Sequence, residues 1–144
     1  MPKLTCQDLR KILPQDNPFV FIDYVEDYKE GEWLTAVKNI SADEWSTPQN
    51  RKGGTRFPDT LLIEAAAQAS LVLYHVTRIN DSSRKPQYFI GKIDAEFIES
   101  AMIGDSLQIK VEAGKLLDAG GYANVDVIAN NNLKAKIALF FGVK

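Results

Sequence analysis

The sequence predicts an α+β fold in which an antiparallel β-sheet is wrapped around one long central helix. Residues 59–78 are a single run of helix-favouring and mostly apolar residues, long enough to cross a small domain. The segments before and after this run alternate apolar and polar side chains with the period of β-strands. With 144 residues, 45% of them apolar, the chain is expected to form one domain, 1–144, with a sizeable core.

The first element in chain order is expected to be a short helix. Thr5 and Asp8 have the spacing of a capping box, and Pro14 ends the helical pattern. After the first two strands, residues 41–45 indicate a short helical turn. Residues 46–57 contain one proline, two glycines and three cations without periodicity, which predicts a long loop of the kind that often carries function in a small domain.

Six strands are expected, two before the long helix and four after it. Their residues are β-branched, aromatic or alternately apolar, and turns that contain glycine or asparagine separate most of them. In the third strand, Phe89, Gly91, Ile93, Ala95 and Phe97 are expected to lie on one face. The predicted strands are 19–24, 32–39, 88–97, 106–113, 122–129 and 133–143.

The long helix carries one carboxylate in an apolar setting. Asp59 is expected to cap the first turn, while Glu64 lies inside the apolar run and can accept a hydrogen bond from Gln68, one turn later. Burying a carboxylate is costly unless the group is paired or protonated. Two interpretations follow: Glu64 reaches the rim or a backbone amide, or it is a catalytic group positioned for proton transfer or for activating water.

Cys6 and His75 are weaker candidates for chemistry. Cys6 has no histidine near it in the sequence and falls in the short first helix. His75 is the only histidine in the chain, and it lies near the end of the long helix, where an imidazole commonly packs or caps carbonyls. One histidine without clustered acids cannot supply a ligand set, so no metal site is expected.

Composition argues against several classes of partner. The formal net charge is −2 and no basic tract is present, so nucleic acid is not expected as a partner. Glu64, Gln68 and His75 interrupt the most apolar stretch, and residues 1–18 hold no long apolar run, so neither a membrane span nor a signal peptide is expected. Together with a single cysteine, these features predict a cytoplasmic location.

Three stretches of the chain match known sequence signatures in order and in spacing. Residues 12–25, ILPQDNPFVFIDYV, are similar to LPHRYPFLLVDRV, and residues 57–70, FPDTLLIEAAAQAS, are similar to MPGVLIIEAMAQA. Residues 97–112, FIESAMIGDSLQIKVE, are similar to the pattern F-x-x-x-V-x-PGD-x-L. These are signatures of the hotdog-fold 3-hydroxyacyl-[acyl carrier protein] dehydratases, which the chain resembles over nearly its whole length.

The resemblance implies a hotdog domain, in which the sheet wraps the central helix, and a dimer whose two central helices lie side by side. It also implies that an acyl thioester on a pantetheine arm enters a tunnel at the dimer interface. No cofactor is implied, since the substrate is carried on the phosphopantetheine of an acyl carrier protein or on CoA.

The catalytic pair of this family is only half present. In the family, a histidine on a loop of one subunit, in a GHFPG motif, works with a helix carboxylate of the other. The carboxylate corresponds to Glu64 and the glutamine after it to Gln68, but the histidine falls at Asn50 without gaps or at Arg56 with a shortened loop. Neither an amide nor a guanidinium can shuttle a proton near neutral pH. Gln15 also replaces a histidine of the first signature.

Further site residues are expected around the thioester and its carrier. The thioester carbonyl is expected at the loop amides of Gly53 and Gly54 or at the helix N-terminus around Thr60. An acyl carrier protein, or the phosphate of its arm, is expected to contact the loop cations, which otherwise form only a solvated loop. These cations are Arg51, Lys52 and Arg56.

Three functions are compatible with the sequence. The leading hypothesis is a dehydratase subunit of fatty-acid or polyketide and polyene synthesis. It would contribute Glu64 to a site shared with a His-bearing homologue, as in heterodimeric dehydratases of the aryl-polyene type, although a homodimer is also possible. A hotdog thioesterase needs no histidine, because a helix glutamate can activate water against the thioester. In the third hypothesis the chain binds acyl chains or scaffolds a partner, and Glu64 is not catalytic.

Overall fold

The structure, a computed structural model, describes residues 1–15, 19–41, 56–79 and 86–144. Within these ranges the chain forms two helices and six strands. In chain order they are α1 (Cys6–Ile12), β1 (Tyr24–Lys29), β2 (Trp33–Asn39), α2 (Asp59–Arg78), β3 (Tyr88–Phe97), β4 (Ser106–Leu117), β5 (Gly120–Ala129) and β6 (Asn132–Val143).

The six strands form one antiparallel sheet, in the order β1-β2-β4-β5-β6-β3. Helix α2 lies against one face of this sheet and contacts the strands from β2 to β6. Its residues Leu62, Ala66, Ala69, Val72 and Leu73 are buried in the same cluster as alternate residues of the strands. The predicted architecture, an antiparallel sheet around one long helix, is therefore confirmed.

Helix α2 has the predicted bounds but not the predicted cap. The N-cap residue is Pro58, without a side-chain cap, and Asp59 is already the first helical residue. Because Asp59 lies one position too late to cap, its carboxylate instead accepts a hydrogen bond from the guanidinium of Arg56 at 3.0 Å. By length and composition α2 could cross a membrane, yet 67% of its most apolar window is buried in the fold, as is usual for a core helix.

The segment before β1 differs from the prediction of a strand over 19–24. Helix α1 begins with the predicted capping box of Thr5 and Asp8, but β1 starts only at Tyr24. Phe21 precedes β1, and its backbone N–H donates to the side chain of Gln68 in α2 at 2.8 Å. Phe21 thus bonds to α2, whereas the N–H of Asp23 donates to the carbonyl of Val37 in β2 at 2.7 Å, so pairing with β2 begins only close to Tyr24.

A bulge in β3 changes the predicted distribution of its side chains between the two faces. The register with β6 shifts between Ile90 and Lys92, so Gly91 is an extra residue. Ile93 lies opposite buried Leu139, on the face that carries α2. Phe89 lies on the other face, where its ring covers Gly142 so closely that a Cβ there would be 2.1 Å from it. The prediction that Phe89 and Ile93 share one face is therefore wrong.

The last three strands are longer than predicted. Strand β4 continues to Leu117 past an irregularity in its pairing with β5, where the ring of Tyr122 fills the space beside Gly114. Asn130 and Asn131 have φ values of 53° and 62° and make the predicted tight turn between β5 and β6. The predicted helical turn at 41–45 and the predicted loop at 46–57 lie almost entirely outside the described residues.

Candidate active site

The side chain of Gln68 organises the site from inside α2. It is fully buried, with 0% exposure. Its Nε2 donates to the carbonyl oxygen of Phe19 at 2.8 Å and to Oε1 of Glu64 at 3.2 Å. Its Oε1 accepts the N–H of Phe21 at 2.8 Å. The predicted hydrogen bond between Gln68 and Glu64 is present, and the two backbone contacts fix the amide that makes it.

Gln15 reaches the same carboxylate from the segment after α1. It follows α1 by three residues, and its Nε2 donates to Oε1 of Glu64 at 3.3 Å. Among the described residues, Oε2 of Glu64 has no hydrogen-bond partner. The sequence alone assigned no role to Gln15. The signal that pointed to this position is that Gln15 stands where the first signature has a histidine.

Among the described residues, Glu64 lacks one of the contacts expected from the sequence, a hydrogen bond from a backbone amide. Its partners are two side-chain amides and not a backbone amide. Its own side chain is only partly buried in the single chain, although the helix around it is mostly buried. The arrangement therefore holds one carboxylate oxygen against the fold and leaves the carboxylate partly accessible from outside.

The N-terminus of α2 lies one turn before Glu64. Thr60 is exposed and, four residues before Glu64, is on the same side of the helix. Among the described residues, the first-turn N–H groups of Asp59 and Thr60 have no hydrogen-bond acceptor. Such free N–H groups and the helix dipole favour a carbonyl oxygen or an anion. The other expected carbonyl-binding residues, Gly53 and Gly54, lie outside the described residues.

Of the three expected carrier-protein contacts, only Arg56 is described. Its guanidinium is exposed and pairs with Asp59 at 3.0 Å. The pair lines a small groove of about 180 Å³ together with Phe97 and Ile98 at the end of β3. Two larger depressions, of about 520 and 400 Å³, lie along the strands and contain none of the expected site residues. Arg51, Lys52 and Asn50 lie outside the described residues.

His75 and Cys6 are not among the described hydrogen-bond partners of Glu64. His75 is buried near the end of α2, and burial lowers its pKa below the ordinary value of 6.5. Eleven residues of helix, about 16 Å along the axis, separate it from Glu64. Cys6 is exposed on α1. Among the described residues, no group of three or more His, Cys, Asp or Glu side chains is arranged to hold a metal ion.

Known proteins match the chain in sequence and in fold. The FabA-like domain family matches residues 13–136. The 3-hydroxyacyl-[acyl-carrier-protein] dehydratase FabZ of Histophilus somni strain 2336 is 36% identical over 109 residues, 76% of this chain and 72% of the relative. FabZ of Myxococcus xanthus strain DK1622 is 32% identical over 123 residues, 83% of this chain and 80% of the relative.

Two solved structures extend the comparison to the whole fold. The dehydratase heterocomplex ApeI:P from Xenorhabdus doucetiae superposes with a TM-score of 0.81 at 15% identity, over 100% of this chain and 91% of that one. A mutant thioesterase from Pseudomonas aeruginosa superposes with a TM-score of 0.71 at 11% identity, over 98% and 94%. At these identities the likeness shows the shared fold alone. By its sequence matches, the chain belongs to the FabA-like domain family, among the hotdog-fold 3-hydroxyacyl-[acyl-carrier-protein] dehydratases.

Proposed function

We propose that the chain is one subunit of a dehydratase that acts on 3-hydroxyacyl thioesters of an acyl carrier protein. In this proposal Glu64 is the catalytic residue of the chain, Gln68 and Asn50 support it, and a His-bearing homologue completes the site across a subunit interface. The substrate arrives on a phosphopantetheine arm, no other cofactor takes part, and the reaction takes place in the cytoplasm.

The observation that carries the proposal is an oriented carboxylate with no histidine to work with. Glu64 is held through one oxygen by two amides. The only histidine of the chain, His75, is buried about 16 Å away along α2. A second copy of the chain would bring only another His75. A partner of different sequence is therefore the source of the missing imidazole.

Dehydration requires two proton transfers, which two groups can share. A proton leaves C2, the hydroxyl on C3 takes up a proton and departs as water, and an enoyl thioester remains. The partner's imidazole and Glu64 divide proton removal and proton delivery between them. The unpartnered first-turn N–H groups at Thr60 support a position for the thioester carbonyl, where they would stabilise the negative charge that develops on its oxygen.

Strand β3 offers an edge for the partner. It is the last strand of the sheet, and among the described residues it pairs only with β6. Ile90, Ile93, Phe97 and Ile98 on or beside it are 39–49% exposed. Phe97 and Ile98 share a groove with Arg56, just before the first turn of α2. A chain that docked on this apolar edge would thus lie near the N-terminal half of α2, where Glu64 is placed.

The carrier protein is assigned to the same end of α2. Its acidic surface, or the phosphate of its arm, would meet Arg56 and the loop cations Arg51 and Lys52. The guanidinium of Arg56 is exposed, and its pair with Asp59 is a surface ion pair of the kind that contributes little to stability. Arg56 is therefore available to exchange Asp59 for an incoming anion.

Reconstitution with a His-bearing homologue tests the proposal. The purified chain alone is expected to show little dehydration, and the co-purified pair is expected to lose water from a 3-hydroxyacyl carrier protein, followed by mass spectrometry of the arm. Glu64→Gln should lower the rate of the pair by about 10²–10⁴-fold. The matched control is Glu112→Gln, on an exposed residue of β4. A pair as inert as the single chain would contradict the proposal.

A thioesterase is the second candidate, because the site has a glutamate and lacks a histidine in its own chain. Glu64 would activate water against the thioester held at the N-terminus of α2. This function predicts release of free carrier or CoA thiol by the chain alone, and loss of that release in Glu64→Gln. If neither reaction is found and acyl thioesters still bind, the chain is an acyl-binding or scaffold subunit.

A further inference from the structure

Gln15 contacts Glu64 from the segment that follows α1, which is anchored in the same core that α2 joins. It lies just after α1, whose residue Leu9 and C-cap residue Leu13 are 0% and 1% exposed. Its amide crosses to α2 and donates to Oε1 of Glu64 at 3.3 Å, over a sequence separation of 49 residues. The contact thus links two elements at the carboxylate.

The two amides that bind Glu64 converge on one oxygen. Gln68 is fixed by its bonds to Phe19 and Phe21, so its N–H points toward the carboxylate. Gln15 donates to the same Oε1 from the side of α1. Two donors from different directions restrict rotation of the carboxylate more than one does, and they leave Oε2 as the oxygen without a partner among the described residues.

Gln15 makes this contact at a cost to the fold. Its own Oε1 is buried and has no hydrogen-bond partner among the described residues. A buried acceptor without a partner destabilises the folded state, and an apolar side chain of similar size would avoid this penalty. Stability therefore does not explain a glutamine at this position, whereas a role toward Glu64 does.

We propose that Gln15 is a positioning residue: with Gln68 it forms an amide clamp on Oε1 of Glu64 that aims Oε2 at the reacting atoms of the substrate. The inference rests on the proposed function, since it assumes that Glu64 carries the reaction. Gln15 does not touch the substrate and acts through the orientation of Glu64. Its effect should therefore fall on the chemical step and not on substrate binding.

Kinetics of the reconstituted pair test this role. Gln15→Leu is expected to lower kcat about tenfold with KM unchanged, and the thermal unfolding midpoint should stay the same or rise. Gln15→His keeps an N–H donor at similar reach and should recover most of the loss. In a Glu64→Gln background, Gln15→Leu should have no further effect. An unchanged kcat in Gln15→Leu, or a loss that Gln15→His does not reduce, would overturn the clamp.

A second measurement does not depend on activity. In ¹H–¹⁵N spectra, the side-chain amide resonances of Gln15 and Gln68 should both move in Glu64→Gln, because each loses a charged acceptor. Those of Gln7, exposed on α1, should stay in place. If the Gln15 resonances do not move, the clamp is absent whatever the rates. If they move while Glu64→Gln leaves the rates intact, the clamp stands and the proposed function fails.

Discussion

The backbone N–H of Phe21 donates to Oε1 of Gln68 at 2.8 Å and so bonds the segment before β1 directly to the central helix. The same amide also donates to the carbonyl of Phe19, so Gln68 serves two backbone groups at once. The segment that leads into the first strand is thereby attached to the helix that carries Glu64. The buried side chain of Gln68 therefore binds both the segment before β1 and the carboxylate of Glu64.

Gln68→Leu is predicted to destabilise the protein as well as the site. The substitution removes the hydrogen bonds that the buried Gln68 amide makes with the N–H of Phe21 and the carbonyl of Phe19, which should lower the free energy of unfolding by about 1–3 kcal/mol. Urea denaturation measures the change. Gln87→Leu, at an exposed glutamine just before β3, is the control and should stay within about 0.5 kcal/mol of the wild type. Equal midpoints for the two variants would contradict the assigned role of Gln68.

The central helix and the succession of strands along the chain could be predicted because they depend on local patterns, whereas the order of the strands within the sheet does not. The apolar run of α2 and the alternation in β3 to β6 are visible within windows of ten to twenty residues. The errors came from contacts between distant parts of the chain. Residues 19–23 have strand-like composition, but Gln68 in α2 takes the hydrogen bond of Phe21. The bulge at Gly91 moves Phe89 to the opposite face, which alternation alone cannot show.

In the candidate site, too, the sequence predicts the local contact and not the long-range one. Glu64 and Gln68 are four residues apart on a helix, and that spacing is enough to predict their contact. Gln15 is 49 residues from Glu64, and no local rule connects them. The prediction that Asp59 caps α2 is wrong by one residue, since Pro58 is the N-cap. Sequence patterns do not locate a helix boundary to a single residue, whereas the backbone conformation does.

The apolar edge at β3 predicts where assembly can be broken. Ile93 is 41% exposed on the face of β3 that carries α2, so Ile93→Lys would put a charge into an interface formed there. We expect the variant to weaken association with itself or with the partner by at least about tenfold, measured by analytical ultracentrifugation. The monomer should remain folded, because Ile93 is not part of the buried core.

Asp94→Lys is the matched control for this edge. Asp94 is adjacent in the same strand, so its side chain lies on the opposite face of the sheet, away from α2. Lysine there changes the charge by two units and removes the ion pair with Lys92, a larger electrostatic change than in Ile93→Lys, and it should still leave assembly unchanged. If Ile93→Lys associates as tightly as Asp94→Lys, the partner does not use the helix-side face of this edge.

His75 predicts how stability depends on pH. Burial lowers the pKa of His75 in the folded protein below its ordinary value of 6.5, whereas the unfolded chain has the ordinary value. Below about pH 6.5 the unfolded state therefore binds a proton that the folded state does not bind. The free energy of unfolding should fall as the pH drops through this value, until the folded imidazole also becomes protonated.

His75→Gln should remove this part of the pH dependence, since an amide does not titrate. The substitution itself can change stability, because His75 is buried, so the useful quantity is the difference between urea midpoints at about pH 7.5 and about pH 5.5. That difference should be smaller in His75→Gln than in the wild type. In the exposed control Lys11→Gln, the difference should match that of the wild type. If His75→Gln keeps the full difference, other groups account for the acid sensitivity of the fold.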